Sequence, residues 1–254
     1  MSGSTDMNGL LRVENLTLAY GEGPDALHDI SLSVGEGEIL VIVGESGSGK
    51  STLLRAVMGL LPDTARLRSG QVLFRGRLRL ELGRDVAMIF QHPVQFMNPN
   101  RRIAAQFGDM LRVHGTSSRA GRDEVMRAAL SRLRLEDPDR VLKAYPFELS
   151  GGMMQRVALA MVMSLEPPVL LADEPTSALD AVSQKHVADQ LAQLNRDDGV
   201  SIVLVTHHVG LAYRLAHRIA VMHRGRIVEI GSAEQVVGDP RHPYTRQLVE
   251  WDVT

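Results

Sequence analysis

Between positions 39 and 58 the chain reads Ile39-Leu-Val-Ile-Val43, then Gly44-Glu45-Ser46-Gly47-Ser48-Gly49-Lys50-Ser51-Thr52, then Leu53, Leu54, Val57 and Met58 at helical spacing. No other stretch restricts the fold as much. An unbroken apolar run of strand length suits a strand covered on both faces, as in a parallel sheet. The apolar positions after the turn recur at three and four, the period of a helix. Glycines in the turn let backbone N–H groups converge as a nest, and the helix N-terminus adds partial positive charge. Such a turn cradles phosphate, with Lys50 reaching the β- and γ-phosphates and the Ser51 hydroxyl completing a Mg²⁺ shell. A plain Gly/Ser connector would share the composition, but not Lys50-Ser51 at a helix start directly after a buried strand.

The rest of the chain supplies the matching sheet. Short apolar blocks recur at Val86–Phe90, Val169–Ala172, Ile202–Val205 and Ile219–Met222, with helical patterns between several of them, such as Val187, Leu191 and Leu194. Buried strands alternating with amphipathic helices predict a wound α/β sheet. Near the start, Leu16, Leu18 and Tyr20 alternate, as do Ile30, Leu32 and Val34, around a Gly21–Pro24 break. That pattern predicts antiparallel strands with one wet face. From about His92 to Leu149 no strand block is visible, and Val125, Met126, Ala129, Leu130 and Leu133 lie at helical spacing, which predicts an all-helical insertion.

Val169-Leu-Leu-Ala-Asp173-Glu174-Pro175 ends an apolar strand in two carboxylates. Ligands of α/β sheets bind at the carboxyl ends of strands. Asp173 can hold Mg²⁺ through water, and Glu174 can polarise an attacking water. Cysteine is absent and the formal net charge is −2. A disulfide framework, a thiol nucleophile and a cysteine-held metal are excluded, and no global field draws the chain to nucleic acid. No apolar run is long enough to cross a bilayer, and Met1–Leu10 is polar rather than signal-like, so neither spanning nor secretion by a standard signal is expected.

Leu149-Ser150-Gly151-Gly152-Met153-Met154-Gln155-Arg156, between the two motifs, resembles the signature loop of the ABC ATPase family, and the similarity covers nearly the whole chain. The resemblance implies an α/β fold: a P-loop NTPase (RecA-like) core with an antiparallel β subdomain and an all-helical insertion. It makes the chain a single ABC ATPase domain over 1–254. The nucleotide-binding core takes 10–91 and 157–230, the helical subdomain 92–156, and a short C-terminal segment 231–254. It implies an ATPase using ATP and Mg²⁺, with Ser51, Gln91 and Asp173 at the metal and Glu174 and His207 catalytic. Gly44 through Thr52 would hold nucleotide, Tyr20 would stack on adenine, and Ser150, Gly151 and Gly152 would close on a second subunit's γ-phosphate. Ser177-Ala178-Leu179-Asp180 resembles the loop that communicates across the dimer. Two positions depart from the family: Met153 stands where many members carry Gln, and His208 where Asp is common. Adjacent residues on an extended segment face opposite ways, so His207 and His208 are not expected to form a metal site.

Met88-Ile-Phe-Gln91-His92-Pro93 with Asn98-Pro99, Val141–Glu148, and Arg241-His242-Pro243-Tyr244-Thr245-Arg246 are similar to segments of peptide and nickel importer ATPases, most of all the nickel type, although His92 replaces their usual Asp. Read locally, the last segment is also a helix start, with Pro-Tyr in the first turn and Leu248 packing down. Peptide-importer subunits commonly continue into a cysteine-bearing extension that this sequence lacks, which favours a metal or metallophore cargo. The branch implies a second ABC ATPase subunit (a copy or a paralogue), two integral membrane permease subunits, an extracytoplasmic substrate-binding protein, and a peripheral place on the cytoplasmic face of the membrane. No nucleic-acid partner is expected. DNA-repair and chromosome-organising ATPases share the cradle and signature but usually insert a long coiled coil or Cys-rich elements. Here Gln91 and Ser150 are 59 positions apart (150 − 91), without sustained heptads or cysteine.

Overall fold

The computed structural model describes residues 9–116, 118–177 and 180–253. Strands β1 (Leu11–Tyr20), β2 (Asp25–Val34) and β3 (Ile39–Val43) lead into helix α1 (Lys50–Met58), followed by β4 (Ala65–Phe74) and β5 (Val86–Ile89). Helices α2 (Ile103–Val113), α3 (Arg119–Arg132), α4 (Pro138–Lys143) and α5 (Gly151–Met163) come next, with short 3₁₀ turns at Pro93–Phe96 and Pro146–Glu148. The chain then alternates through β6 (Val169–Asp173), α6 (Ala181–Asp198), β7 (Ser201–Thr206), α7 (Val209–Leu215) and β8 (Arg218–His223). It closes with β9 (Arg226–Ser232), α8 (Ala233–Gly238) and α9 (Pro243–Val253).

The larger sheet has the order β5-β6-β7-β3-β8-β9, and a smaller sheet the order β2-β1-β4. In the larger one β5, β6, β7, β3 and β8 run parallel, and β9 pairs antiparallel with β8. The smaller one is antiparallel throughout.

Side chains alternate across a strand, so one apolar run feeds two cores. Leu40, Ile42, Leu171, Val203, Val205 and Met222 point to the side holding the small sheet and α1, where they meet Leu18, Leu27, Ile30, Leu53 and Leu54. Ile39, Val41, Val43, Leu170, Ile202 and Leu204 point the other way, to Phe107, Leu130, Leu159, Leu191 and Ala212 of the helices. All five residues of β3 are buried, consistent with a strand flanked on both faces.

Two strands carry no apolar block. β4 is exposed over most of its length and holds Arg66, Arg68, Ser69 and Gly70; it is a strand because β1 offers it a ladder from Leu11↔Phe74 to Tyr20↔Ala65. β9 is an edge strand against β8. Beyond it, α9 buries Tyr244 and Leu248 and exposes Trp251, the single tryptophan of the chain, at 68%. No helix among the described residues is long and apolar enough to cross a membrane.

Candidate functional site

The turn from β3 to α1 has the backbone its glycines permit. Gly44 has φ 156°, and a Cβ there would stand 2.1 Å from the Met222 carbonyl oxygen. Gly49 has φ 107°, and a Cβ would press on Met222, Leu27 and the Ala26 carbonyl at 2.9–3.1 Å. Any side chain would fill the space in which the loop closes on β8 and β2. No side chain caps α1, whose first turn therefore presents its N–H groups to the loop.

Lys50 opens α1 with only 4% of its surface exposed. Its Nζ donates to the carbonyls of Gly44 and Glu45, both at 2.8 Å. Burial lowers its pKa, opposed by the negative field of Glu174, Asp173 and Glu45. A desolvated cation ringed by loop amides is prepared for a multiply charged anion. Ser51 Oγ donates to Asp173 Oδ1 at 2.8 Å, joining the loop to the end of β6. Burial raises the pKa of Asp173 and the neighbouring Glu174 adds to it, against the Ser51 hydrogen bond and the field of Arg55. A cation placed there would reverse that balance. The hydroxyl and carboxylate oxygens of Ser51 and Asp173 are hard ligands suited to Mg²⁺. Ser48 Oγ, inside the same turn, is buried without a hydrogen-bond partner.

Glu174 follows Asp173 in a left-handed conformation, φ 44°. A non-glycine residue there costs roughly 1–3 kcal/mol and persists where its surroundings fix it. They do so here: its N–H donates to the Val205 carbonyl at 2.9 Å, and its Oε2 lies 3.1 Å from His207 Nδ1. Against an ionised carboxylate that ring nitrogen must be the donor. The turn swings the Glu174 side chain out of the strand and over the cleft.

The cleft, about 410 Å³, is lined by Tyr20, Ala26, Ser46, Gly47, Gly49, Lys50, Ser51, Thr52, Gln91 and Glu174. The Tyr20 hydroxyl bonds the Thr52 Oγ1 at 3.3 Å, which places the ring at the far end of the loop. A larger hollow, about 550 Å³, lies among Arg134, Arg140, Glu148 and Arg156. It is away from Lys50 and both strand-end acids, so chemistry rather than size selects the site.

The remaining site residues of the sequence reading make other contacts. Gln91 lines the cleft, but its amide donates to Ser177 Oγ at 2.9 Å rather than to the Ser51–Asp173 pair. Ser150, Gly151 and Gly152 do not line it: Ser150 caps α5, accepting from Met153 N–H. Asp180 caps α6, accepting from the N–H groups of Val182 and Ser183 and from Ser183 Oγ. Ser183 Oγ stands 3.0 Å from where a Cβ on Gly152 would be, so the cap of α6 abuts the signature helix. Ala178 and Leu179 lie outside the described residues. The premise that His207 and His208 face opposite ways needs correcting. Their rings are 4.1 Å apart rather than on opposite faces, because β7 ends at Thr206 and His208 already caps α7. Sequence reasoning missed the left-handed turn at Glu174 and a contact of Tyr244 with the loop; neither has a local sequence signal.

Residues 27–177 match the family model described as ABC transporter. The chain belongs to the ABC transporter family. Similar members include the peptidoglycan transport ATP-binding protein YejF of Agrobacterium fabrum, 39% identical over 96% of this chain and 47% of that protein. The dipeptide transport ATP-binding protein DppD of Bacillus subtilis is 38% identical over 96% of this chain and 76% of that one. The chain thus spans about half the length of the first relative and three quarters of the second. Among solved structures, an ATP-binding cassette captured as a dimer after hydrolysis, with ADP and Pi, superposes with a TM-score of 0.75 at 28% identity, covering 88% of this chain and 98% of that one. The fold is therefore the P-loop fold of ABC ATPases, with the antiparallel sheet set beside the parallel one.

Proposed function

We propose that this chain is the ATP-binding and hydrolysing subunit of a membrane importer for peptide-type substrates. The observation that carries the reading is the bond from Ser51 to Asp173, which ties the end of β6 to the cleft that Lys50, Ser51 and Glu174 line. The loop N–H groups and Lys50 bind the phosphates, and Tyr20 supports the base. Mg²⁺, when bound at Ser51 and Asp173, supplies charge neutralisation on the phosphate oxygens. Glu174 orients a water in line with the γ-phosphorus and accepts its proton as the new P–O bond forms and the bridging P–O bond breaks. His207 holds the Glu174 carboxylate in position through the 3.1 Å contact. Gln91, bonded to Ser177, links the cleft to the helices that follow β5.

The signature residues of this chain lie off its own cleft, which supports a paired arrangement in which the N-terminus of α5 in each subunit closes the site of the other. The dimeric solved relative favours the same reading. Two permease subunits, docked on the helical segment between β5 and β6, would hold the pair at the cytoplasmic face of the membrane, with a substrate-binding protein outside. The peptidoglycan and dipeptide relatives weight the cargo toward peptides over nickel chelates. Glu174→Gln tests the chemistry. Turnover should drop about 10²- to 10⁴-fold, the span of a general base, while ATP binding is kept. Size-exclusion chromatography should show a dimer with ATP that is absent with ADP. Wild-type turnover in that variant would overturn the assignment.

A further inference from the structure

The peptide unit joining Gly44 to Glu45 is held at both polar edges. Its carbonyl accepts from Lys50 Nζ at 2.8 Å. Its N–H donates to the Tyr244 hydroxyl at 3.0 Å, across 199 positions of sequence. Tyr244 lies in the first turn of α9, 7% exposed, with its ring 3.9 Å from the imidazole of His223 at the end of β8.

That helix start is itself fixed. Glu229 of β9 accepts from the N–H groups of Arg241 at 3.0 Å and His242 at 2.9 Å, and His242 Nδ1 accepts the N–H of Tyr244 at 3.1 Å. The β8–β9 turn adds a second hold, Gly225 N–H to the Ser48 carbonyl at 2.9 Å. A buried tyrosine hydroxyl finds some partner in any fold. Here the partner is the phosphate loop, on the very peptide whose oxygen receives the lysine. A hydrogen bond at one edge of a peptide polarises the other, so the phenol strengthens the carbonyl that Lys50 uses.

We propose that Tyr244 is a positioning residue of the cradle: its hydroxyl fixes the Gly44–Glu45 peptide, and through it the Lys50 ammonium, so that the last helix sets how tightly the loop holds nucleotide. This rests on the reading of the cradle as a nucleotide site. It gives the Pro-Tyr segment a task in the site beyond starting a helix.

Tyr244→Phe keeps the ring against His223 and removes the acceptor. The Kd for ATP should rise about three- to tenfold, the equivalent of one neutral hydrogen bond, with kcat at saturating ATP changed less than about twofold. Hydrogen exchange at the Glu45 amide should quicken in the same variant. Leu248→Ala loosens the same helix without touching the hydroxyl, and should leave the Kd within about twofold of wild type. A wild-type Kd and unchanged Glu45 exchange in the Phe variant would overturn the proposal. So would an equal loss of affinity in Leu248→Ala, since docking of the helix would then suffice. Failure of the wild-type protein to bind ATP in the same titration would instead sink the nucleotide reading itself.

Discussion

Lys50 is a cation with almost no water around it, and that is what gives it leverage. Its ammonium rests on two carbonyls whose dipoles only partly replace hydration, so burial lowers its pKa despite three nearby carboxylates. A phosphate chain would complete the exchange. Lys50→Ala should therefore weaken ATP binding about ten- to a hundredfold, since each charge-assisted contact is worth roughly 1.5–3 kcal/mol. Isothermal titration of the purified variant measures it, and unchanged affinity would remove the lysine from the cradle. At this scale the gathering of Lys50, Ser51, Asp173 and Glu174 is legible in the sequence, because a parallel sheet places the ends of β3 and β6 on one rim. The orientation of Glu174 is not, since it depends on a left-handed residue fixed by Val205 and His207. Nor is the tilted contact of the His207 and His208 rings, where the extended-segment rule fails one residue past the strand.

Among the elements, those with an apolar reason to exist are readable and those with only a hydrogen-bonding reason are not. β3, β6 and β7 are wholly buried and show as apolar blocks. β4 has no apolar alternation along most of its length and is held by the ladder to β1 and by ion pairs such as Arg66–Glu22 and Arg68–Asp25. The join of β9 to α9 is a hydrogen-bonded clasp of the same kind. Burial pushes the Glu229 carboxyl up, but the N–H groups of Arg241 and His242, with other hydrogen bonds, outweigh it and hold the pKa below the ordinary range. An acid with a lowered folded pKa stabilises fully above its unfolded value, about 4.3, and loses that contribution as pH falls through the folded value. Glu229→Gln should then be less stable than wild type at pH 7, with the gap closing below about pH 4. Urea denaturation of both proteins across that range checks it, and a gap that ignored pH would deny the clasp.

For the whole molecule, the parallel sheet is a shared wall. One face carries the small sheet and α1 and the other the helices that follow β5, so cradle and signature are built on separate cores. A cleft that its own signature does not line predicts chemistry second order in protein. ATP turnover per chain should climb with concentration at low protein, and Ser150→Arg should abolish the climb by placing a bulky cation at the α5 N-terminus. A rate per chain independent of concentration, from a demonstrated monomer, would contradict the paired site. The position of Trp251 has a practical bearing on all of this. It is the chain's sole indole, it is exposed to solvent, and it rides on the helix whose first turn grips the phosphate loop. Light absorbed selectively by tryptophan would therefore be emitted from α9 alone, without labelling or engineering. Its colour and its quenching by dissolved iodide make the unmodified protein its own optical gauge of the far end of the chain as the cradle fills.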